Sequence, residues 1–114
     1  MAFEVQKKAV SSMKIYGIKT CDTCRRVVKD LSAELHDVRE KPLSKNDLTR
    51  FLDIFGEKLV NTRSTTWREL SEDERTAEPI ELIARHPTLM KRPVIEKDGV
   101  LYLGWGSEVK AELL

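Results

Sequence analysis

The sequence predicts an α/β domain built on a four-stranded mixed β-sheet with helices on both faces. Three observations predict it. A β-rich segment passes directly into a helical pattern and then into a second β-segment, which is the order of a β-α-β unit. A longer helical stretch follows, and the chain ends with two β-segments joined at an Asp-Gly pair and a last helix. The 114 residues are enough for one domain with a modest core.

The β-α-β unit occupies the first third of the chain. Side chains in residues 13–18 alternate and favour a strand, and from Cys21 the apolar positions recur at helical spacing. We therefore expect a helix that runs to about Ala33. Residues 35–39 are typical of a short second strand.

A second helix is predicted after Pro42. Ser44, followed by Asp47, is a weak signal for a helix N-cap. Apolar side chains then repeat at i, i+3, i+4 and i+7, which is the period of a helix with one buried face, and Gly56 ends the pattern. The predicted buried face consists of Leu48, Phe51, Leu52 and Phe55.

Residues 57–89 keep a helical but interrupted pattern, so several short helices are expected there. The last of them is expected to end at His86-Pro87, and His86 is assigned no catalytic role. This segment is longer than a minimal fold of this kind needs. It is therefore interpreted as a helical insertion between the β-α-β half and the C-terminal hairpin and helix.

The last part of the chain changes to β character after Pro93. The segment VIEKDGVLYLG contains two β-runs, and Asp98-Gly99 predicts a tight hairpin because glycine accepts a positive φ. Ser107 is expected to cap a last helix through Leu114.

These elements in this order are the thioredoxin-like arrangement, here with a helical insertion. The β-α-β unit is expected to be parallel and right-handed, and the closing hairpin is expected to be antiparallel to it. Residues 13–114 are predicted to form a single domain. Residues 1–12, MAFEVQKKAVSS, are expected to be a flexible leader or a cloning remnant.

Composition and charge argue against several classes of function. Hydrophobic residues make up 40% and charged residues 34% of the chain, as in soluble globular proteins. The net charge of +1 creates no global field toward nucleic acid or an anionic membrane, so a few placed arginines must bind any anion. No apolar run approaches the ~20 residues of a membrane-spanning helix. Residues 1–12 also lack the apolar core of a signal peptide, so a cytoplasmic location is expected.

Cys21 and Cys24 form a C-x-x-C pair between the first predicted strand and its helix. Cytosolic thiols are kept reduced, so a structural disulfide is not expected. Two cysteines without a histidine at a suitable spacing do not make a structural zinc site, so no metal is expected. A strand, a C-x-x-C and a helix in a cytosolic chain indicate a redox motif. The alternative is that Cys21 is a small turn residue and Cys24 a buried helix residue.

Cys21 is the predicted nucleophile. A thiolate is favoured at a helix N-terminus, because the unpaired N–H groups and the helix dipole attract negative charge. Arg25 and Arg26 add positive charge in the first turns, whereas Asp22 opposes the thiolate. Cys24 lies about one turn further on, within reach of Cys21, and whether it resolves a mixed disulfide stays open.

Arg63, Arg92 and Pro93 are the second group of candidate residues. X-Pro bonds are the main location of cis peptides, and a cis proline at the start of a strand can hold a backbone group beside a reactive cysteine. The alternative is an ordinary trans proline that opens a strand. The planar guanidinium of arginine binds oxyanions and carboxylates bidentately, so both arginines are candidates for an anion site. Taken singly, each is also explained as a solvated surface residue.

Taken together, these segments resemble the arsenate reductase-like family, which includes ArsC, the redox-sensing regulator Spx and the YffB proteins. The resemblance covers residues 13–114 and is carried by IYGIKTCDTCRR, VNTRSTTWREL, HPTLMKRPVIEKDG and LGWGSEV. It implies a thioredoxin-like fold with a helical insertion. It also implies that Cys21 is the nucleophile, that Arg63 and Arg92 hold an oxyanion and stabilise the thiolate, and that Pro93 is cis.

The resemblance is greatest to YffB, which implies a glutathione-dependent thiol-disulfide oxidoreductase. Glutathione would then be a co-substrate, glutaredoxin a partner, and the substrate a small anion or disulfide. One alternative is an Spx-like regulator that binds the RNA polymerase α-subunit and uses Cys24 in a disulfide switch. Another is a glutaredoxin-linked arsenate reductase. Trp105 stands where the family has a further arginine, and this loss of positive charge weighs against arsenate.

Overall fold

The computed structural model describes residues 13–114, and the predicted leader, residues 1–12, lies outside the described residues. Four strands form a single sheet in the order β2-β1-β3-β4. Strand β2 is parallel to β1, and β3 is antiparallel to both β1 and β4. The strands are β1 (Met13–Gly17), β2 (Glu34–Asp37), β3 (Val94–Lys97) and β4 (Val100–Leu103). The predicted α/β fold with a four-stranded mixed sheet is confirmed.

Residues 13–114 contain six α-helices and two short 3₁₀ segments. The helices are α1 (Asp22–Leu31), α2 (Lys45–Phe55), α3 (Thr65–Glu69), α4 (Glu72–Arg75), α5 (Pro79–Arg85) and α6 (Ser107–Leu113). The 3₁₀ segments are Gly56–Leu59 and Pro87–Leu89. Helices α3 to α5 form the predicted insertion. None of the helices in this part of the chain is long and apolar enough to cross a membrane.

Helices cover both faces of the sheet because neighbouring side chains of a strand point to opposite faces. Ile15 of β1 packs with Val27 of α1 and Leu113 of α6. Tyr16, the next residue of β1, packs on the other side with Phe51 of α2. Val27 and Phe51 are fully buried, and burial of such a side chain stabilises the fold by about 1.5–3 kcal/mol.

Several residues that the sequence marks as helix or turn signals have the predicted local structure. The Ser44 hydroxyl accepts a hydrogen bond from the Asp47 N–H at 3.1 Å and caps α2. Gly56 ends that helix with a φ of +57°. Asp98 and Gly99 both have positive φ, at 50° and 85°, and join β3 to β4 in a tight turn.

Two predicted boundaries were wrong. Strand β2 ends at Asp37 rather than at residue 39, because the Asp37 carboxylate accepts the N–H groups of Arg39 and Glu40 and turns the chain. Ser107 does not cap α6 but is its first residue. The N-cap is Gly106, whose extended backbone (φ −80°, ψ 177°) starts the helix one residue earlier than expected, and Leu114 lies beyond its end.

Hydrogen bonds to the Asp37 carboxylate connect the loop between β1 and α1 to the end of β2. Its carboxylate, which is only 7% exposed, accepts the Lys19 N–H at 2.9 Å and the Arg39 N–H at 2.8 Å. Burial raises the pKa of this carboxyl, but backbone N–H donors and the charge of Arg39 outweigh it, so the pKa lies below its ordinary value of 3.8. The loop leads into Cys21, and Asp37 therefore helps to set where that residue lies.

Replacing Asp37 by asparagine is expected to lower the free energy of unfolding at pH 7 by about 1.5–3 kcal/mol, the value of hydrogen bonds to a charged group. The folded-state pKa is lowered, so the carboxylate stabilises the fold fully above the unfolded-state pKa of 3.8. This contribution is lost as the pH falls through the folded-state pKa, and the difference from wild type should then shrink. Urea unfolding at several pH values measures it.

The control is Asp30→Asn, at an exposed position of α1, which should change stability little. Wild-type stability of Asp37→Asn at pH 7 would contradict the role given to the Asp37 carboxylate.

Candidate active site

Three loops meet at one end of the sheet. Cys21 follows β1, and Arg92-Pro93 precede β3, whose residue Val94 lies beside Tyr16 of β1. The Arg92–Pro93 peptide bond is cis, as predicted. The loop after β4 joins them, because the Gly104 N–H donates to the Pro93 carbonyl at 2.8 Å.

Cys21 occupies the N-cap position of α1, with an extended backbone (φ −86°, ψ 123°). Its side chain is half-buried and makes no capping hydrogen bond. Burial raises the pKa of the Cys21 thiol. The influences of Cys24 and of the Arg92 guanidinium act in the opposite direction and outweigh burial, so the pKa is lowered overall. The position and the two partners favour a nucleophilic thiolate.

Arg92 is held in place by backbone carbonyls. Its Nη1 donates to the carbonyl oxygen of Thr88 at 2.9 Å and approaches that of Met90 at 3.3 Å. Its guanidinium lowers the pKa of the Cys21 thiol, while its buried Nε finds no acceptor among residues 13–114. The structure thus brings Arg92 and Cys21 together.

The arginines of α1 contribute less to the acidity of the Cys21 thiol than the sequence suggests. Arg25 and Arg26 are exposed, and Arg25 forms an ion pair with Asp22. That pairing balances the one acidic residue expected to oppose the thiolate. Burial has the largest single influence on the pKa of Cys21, and the main influences that lower it come instead from Cys24 and Arg92.

Arg63 lies beside this cluster rather than in it. Its side chain is exposed, and it lines an open groove of about 740 Å³. Lys58 and Lys91 line the same groove, and Lys91 directly precedes Arg92 in the chain. Arg63 is not among the main influences on the Cys21 thiol, so its position suits contact with a larger ligand more than stabilisation of the thiolate.

Cys24 is fully buried against β1. A β-carbon at Gly17 would lie 2.3 Å from the Cys24 sulfur and 3.3 Å from its β-carbon, so only glycine leaves room for this thiol. The sequence analysis missed Gly17. The available signal was a glycine inside a predicted strand, which often marks the close approach of another element.

The two thiols differ sharply in acidity. Burial raises the pKa of Cys24 to about 11, and the neighbouring Cys21 adds to the increase, whereas the pKa of Cys21 is lowered. Environments that push two pKa values apart assign different roles to the two groups. Cys21 is therefore the more acidic of the two thiols and loses its proton first.

Trp105 follows Gly104 at the same end of the sheet, but its side chain packs into the core between α1 and α6. Its Nε1 is buried and has no partner among the described residues. Lys110 lies over the ring, with its Nζ 6.0 Å from the centroid. This loop position thus holds an aromatic core residue rather than a cation.

Comparisons with known proteins agree with this geometry. The model of the ArsC family matches residues 16–113. An uncharacterised protein of Haemophilus influenzae is 41% identical over 106 residues, which span 82% of this chain and 91% of that protein. The global transcriptional regulator Spx of Streptococcus pyogenes is 27% identical over 82% of this chain and 79% of its own. The solved structure of a YffB protein aligns with a TM-score of 0.79 and 28% identity, over 90% of this chain and 99% of that one.

Replacing Gly17 by alanine is expected to destabilise the fold by about 1–3 kcal/mol, because the new methyl group overlaps the Cys24 sulfur. The double variant Gly17→Ala/Cys24→Ala should recover much of this loss. Gly106→Ala is the control: a β-carbon there meets no atom within 4 Å, so this variant should lose only what alanine costs at an N-cap. Thermal or urea unfolding measures the changes, and equal stability of wild type and Gly17→Ala would refute the close contact.

Replacing Arg92 by alanine is expected to raise the pKa of Cys21, because a positive charge and a hydrogen bond are lost. The midpoint of the alkylation rate against pH reports this pKa. Arg92→Lys keeps the charge and should shift the midpoint less, and Arg63→Ala should leave it unchanged. An Arg92→Ala midpoint equal to that of wild type would remove Arg92 from this role.

Proposed function

Because the chain belongs to the ArsC family, we propose that it is a glutathione-dependent thiol-disulfide oxidoreductase with Cys21 as its nucleophile. The family contains thiol-based reductases together with Spx-type regulators. The observation that carries the proposal is the setting of Cys21. A half-buried thiol at a helix N-cap, with a pKa lowered by Cys24 and by the Arg92 guanidinium, has the properties of a reactive cysteine.

In the proposed reaction the Cys21 thiolate attacks the glutathione sulfur of a mixed disulfide, and the substrate thiolate leaves. A second glutathione then releases Cys21 as oxidised glutathione forms. Arg92 stabilises Cys21 as attacking and as leaving thiolate, since its charge acts on the sulfur in both steps.

The groove is lined by three cations, Lys58, Arg63 and Lys91, against one carboxylate, Glu57, and this excess of positive charge supports an anionic substrate. Glutathione carries two carboxylates, and a guanidinium with two ammonium groups on an open surface can attract them. Lys91 lines the groove and directly precedes Arg92 in the chain, so the groove adjoins the loop that carries Arg92. We therefore assign Arg63 to substrate binding and Arg92 to stabilisation of the Cys21 thiolate.

Turnover of a glutathione mixed disulfide by reduced glutathione tests the proposal. Cys21→Ser should reduce the rate to background, because no other exposed thiol exists in the chain. Arg63→Ala should raise KM about 2- to 5-fold, as expected for an exposed charge pair, and leave the Cys21 titration unchanged. Arg68→Ala, an exposed arginine nearby in sequence, is the matched control. Undiminished activity of Cys21→Ser would exclude Cys21 as the nucleophile.

A second candidate function is an Spx-like redox-sensing regulator. It is favoured by the C-x-x-C pair, in which each thiol influences the pKa of the other, and by the likeness to Spx proteins. The test is binding of the purified RNA polymerase α-subunit to the reduced and the oxidised chain. Binding that requires oxidation and disappears in Cys24→Ser would favour the regulator over the enzyme.

Glutaredoxin-linked arsenate reduction is the third candidate. The core position of Trp105 argues against it, because the loop before α6 then supplies no arginine to an oxyanion. Arsenate turnover in the presence of glutaredoxin and glutathione would favour this activity, and its absence beside turnover of a mixed disulfide would favour the thiol reductase.

A further inference from the structure

Three consecutive carbonyl groups hold both of the loops that carry the candidate arginines. The Thr88 and Met90 carbonyls accept from the Arg92 guanidinium at 2.9 and 3.3 Å. The Leu89 carbonyl between them accepts the Asn61 N–H at 2.8 Å. The backbone of Asn61 is thus bound to the same short stretch that anchors Arg92.

This attachment is a short antiparallel contact between two segments of the chain. Val60 pairs with Met90 as an isolated β-bridge, and the Lys91 N–H donates to the Leu59 carbonyl at 2.7 Å. Leu59 and Met90 have no exposed surface, so the contact is anchored in the core. Because main-chain groups make these hydrogen bonds, a substitution of the Asn61 side chain should leave them in place.

The Asn61 side chain sets the turn that follows. Its Oδ1 accepts the Arg63 N–H at 3.0 Å, and the backbone carbonyl of Asn61 accepts the Ser64 hydroxyl at 2.9 Å. An asparagine side chain that accepts the N–H two residues further on takes the place of a backbone carbonyl in a turn. Ser64 also caps α3 by accepting the Trp67 N–H at 3.1 Å. Asn61 therefore connects the backbone of Arg63 with the stretch that anchors Arg92.

We propose that Asn61 is a positioning residue, which holds the Arg63 backbone at a fixed place relative to Arg92 so that Arg63 can bind a carboxylate of the glutathione moiety. The inference rests on the proposed function and adds the residue that orients its substrate-binding arginine. In this role Asn61 acts through Arg63 and makes no contact of its own with the substrate.

Arg63 depends on such support more than Arg92 does. The Arg92 guanidinium is itself bound to carbonyl oxygens, whereas the Arg63 side chain is exposed and Asn61 holds this residue by its backbone N–H. A flexible arginine loses conformational freedom when it binds a carboxylate, and a preorganised backbone reduces that loss. Loss of the turn should therefore weaken binding of a carboxylate without displacing Arg92.

The experiment measures binding of S-methylglutathione, which keeps the two carboxylates of glutathione but has no thiol to exchange, by NMR titration. The proteins compared are wild type, Asn61→Ala, Arg63→Ala and the double variant. Asn61→Ser keeps a hydroxyl that can accept the Arg63 N–H, although more weakly than the amide oxygen. Asn46→Ala, at an exposed position of α2, is the matched control. The diethyl ester of S-methylglutathione, in which both carboxylates are masked, is the control ligand.

Asn61→Ala and Arg63→Ala should each weaken binding of S-methylglutathione about 2- to 5-fold. The double variant should bind as Arg63→Ala does, because the two residues act through one contact. Asn61→Ser should bind between Asn61→Ala and wild type, and Asn46→Ala should bind as wild type. The diester should bind equally to all these proteins. In the turnover assay Asn61→Ala should raise KM by the same factor and leave the midpoint of Cys21 alkylation unchanged.

Wild-type binding of S-methylglutathione by Asn61→Ala overturns the proposal. So does an effect that adds in full to that of Arg63→Ala, which would indicate a direct contact of the Asn61 side chain with the ligand. An Asn61→Ser variant that binds no better than Asn61→Ala also contradicts it. Equal weakening of the diester by Asn61→Ala would show a general loss of structure and would refute the positioning role.

Failure of the proposed function gives a different result. If wild type binds S-methylglutathione but does not turn over a glutathione mixed disulfide, the oxidoreductase is refuted, and the binding pattern of the variants still decides the role of Asn61. If wild type does not bind S-methylglutathione, the assignment of Arg63 to a glutathione carboxylate is refuted, and the role of Asn61 with it.

Discussion

The close contact between α1 and β1 at Gly17 is the constraint on which the candidate site depends. Because no side chain stands at Gly17, the first turn of α1 lies directly on the strand, with the Cys24 sulfur in the space between them. This contact places the start of the helix, and therefore Cys21, at the end of the sheet. Arg92 reaches the same point from the other side, anchored separately to the carbonyl oxygens of Thr88 and Met90. Cys21 and Arg92 are thus positioned by separate sets of contacts.

The order of the elements could be predicted because each one carries a local signal. Ser44 caps its helix and Asp98-Gly99 turns its hairpin through groups that are neighbours in the chain. The end of β2 and the start of α6 could not be placed as well. The first depends on which backbone groups the Asp37 carboxylate accepts, and the second on the extended backbone of Gly106. Neither boundary is marked by a periodic pattern in the sequence.

The same distinction applies to the site. Cys21 follows from its place between a strand and a helix, and the cis bond before Pro93 was predicted from its combination with the C-x-x-C. Gly17 and Thr88 were not foreseen, because each acts through a contact with a residue several positions away that only the folded chain creates. Arg63 was grouped with Arg92, yet Arg63 is an exposed groove residue, whereas Arg92 is the arginine that lowers the pKa of the Cys21 thiol.

The buried position of Cys24 between α1 and β1 also makes this thiol a probe of local opening of the fold. A thiol with no exposed surface reacts with a labelling reagent only during an opening that frees it, so its labelling rate measures the free energy of that opening. The event needed here is separation of the first turn of α1 from β1, the movement that would also displace Cys21 from Arg92. The stability of the assembled site against local opening can therefore be measured from the labelling rate of Cys24.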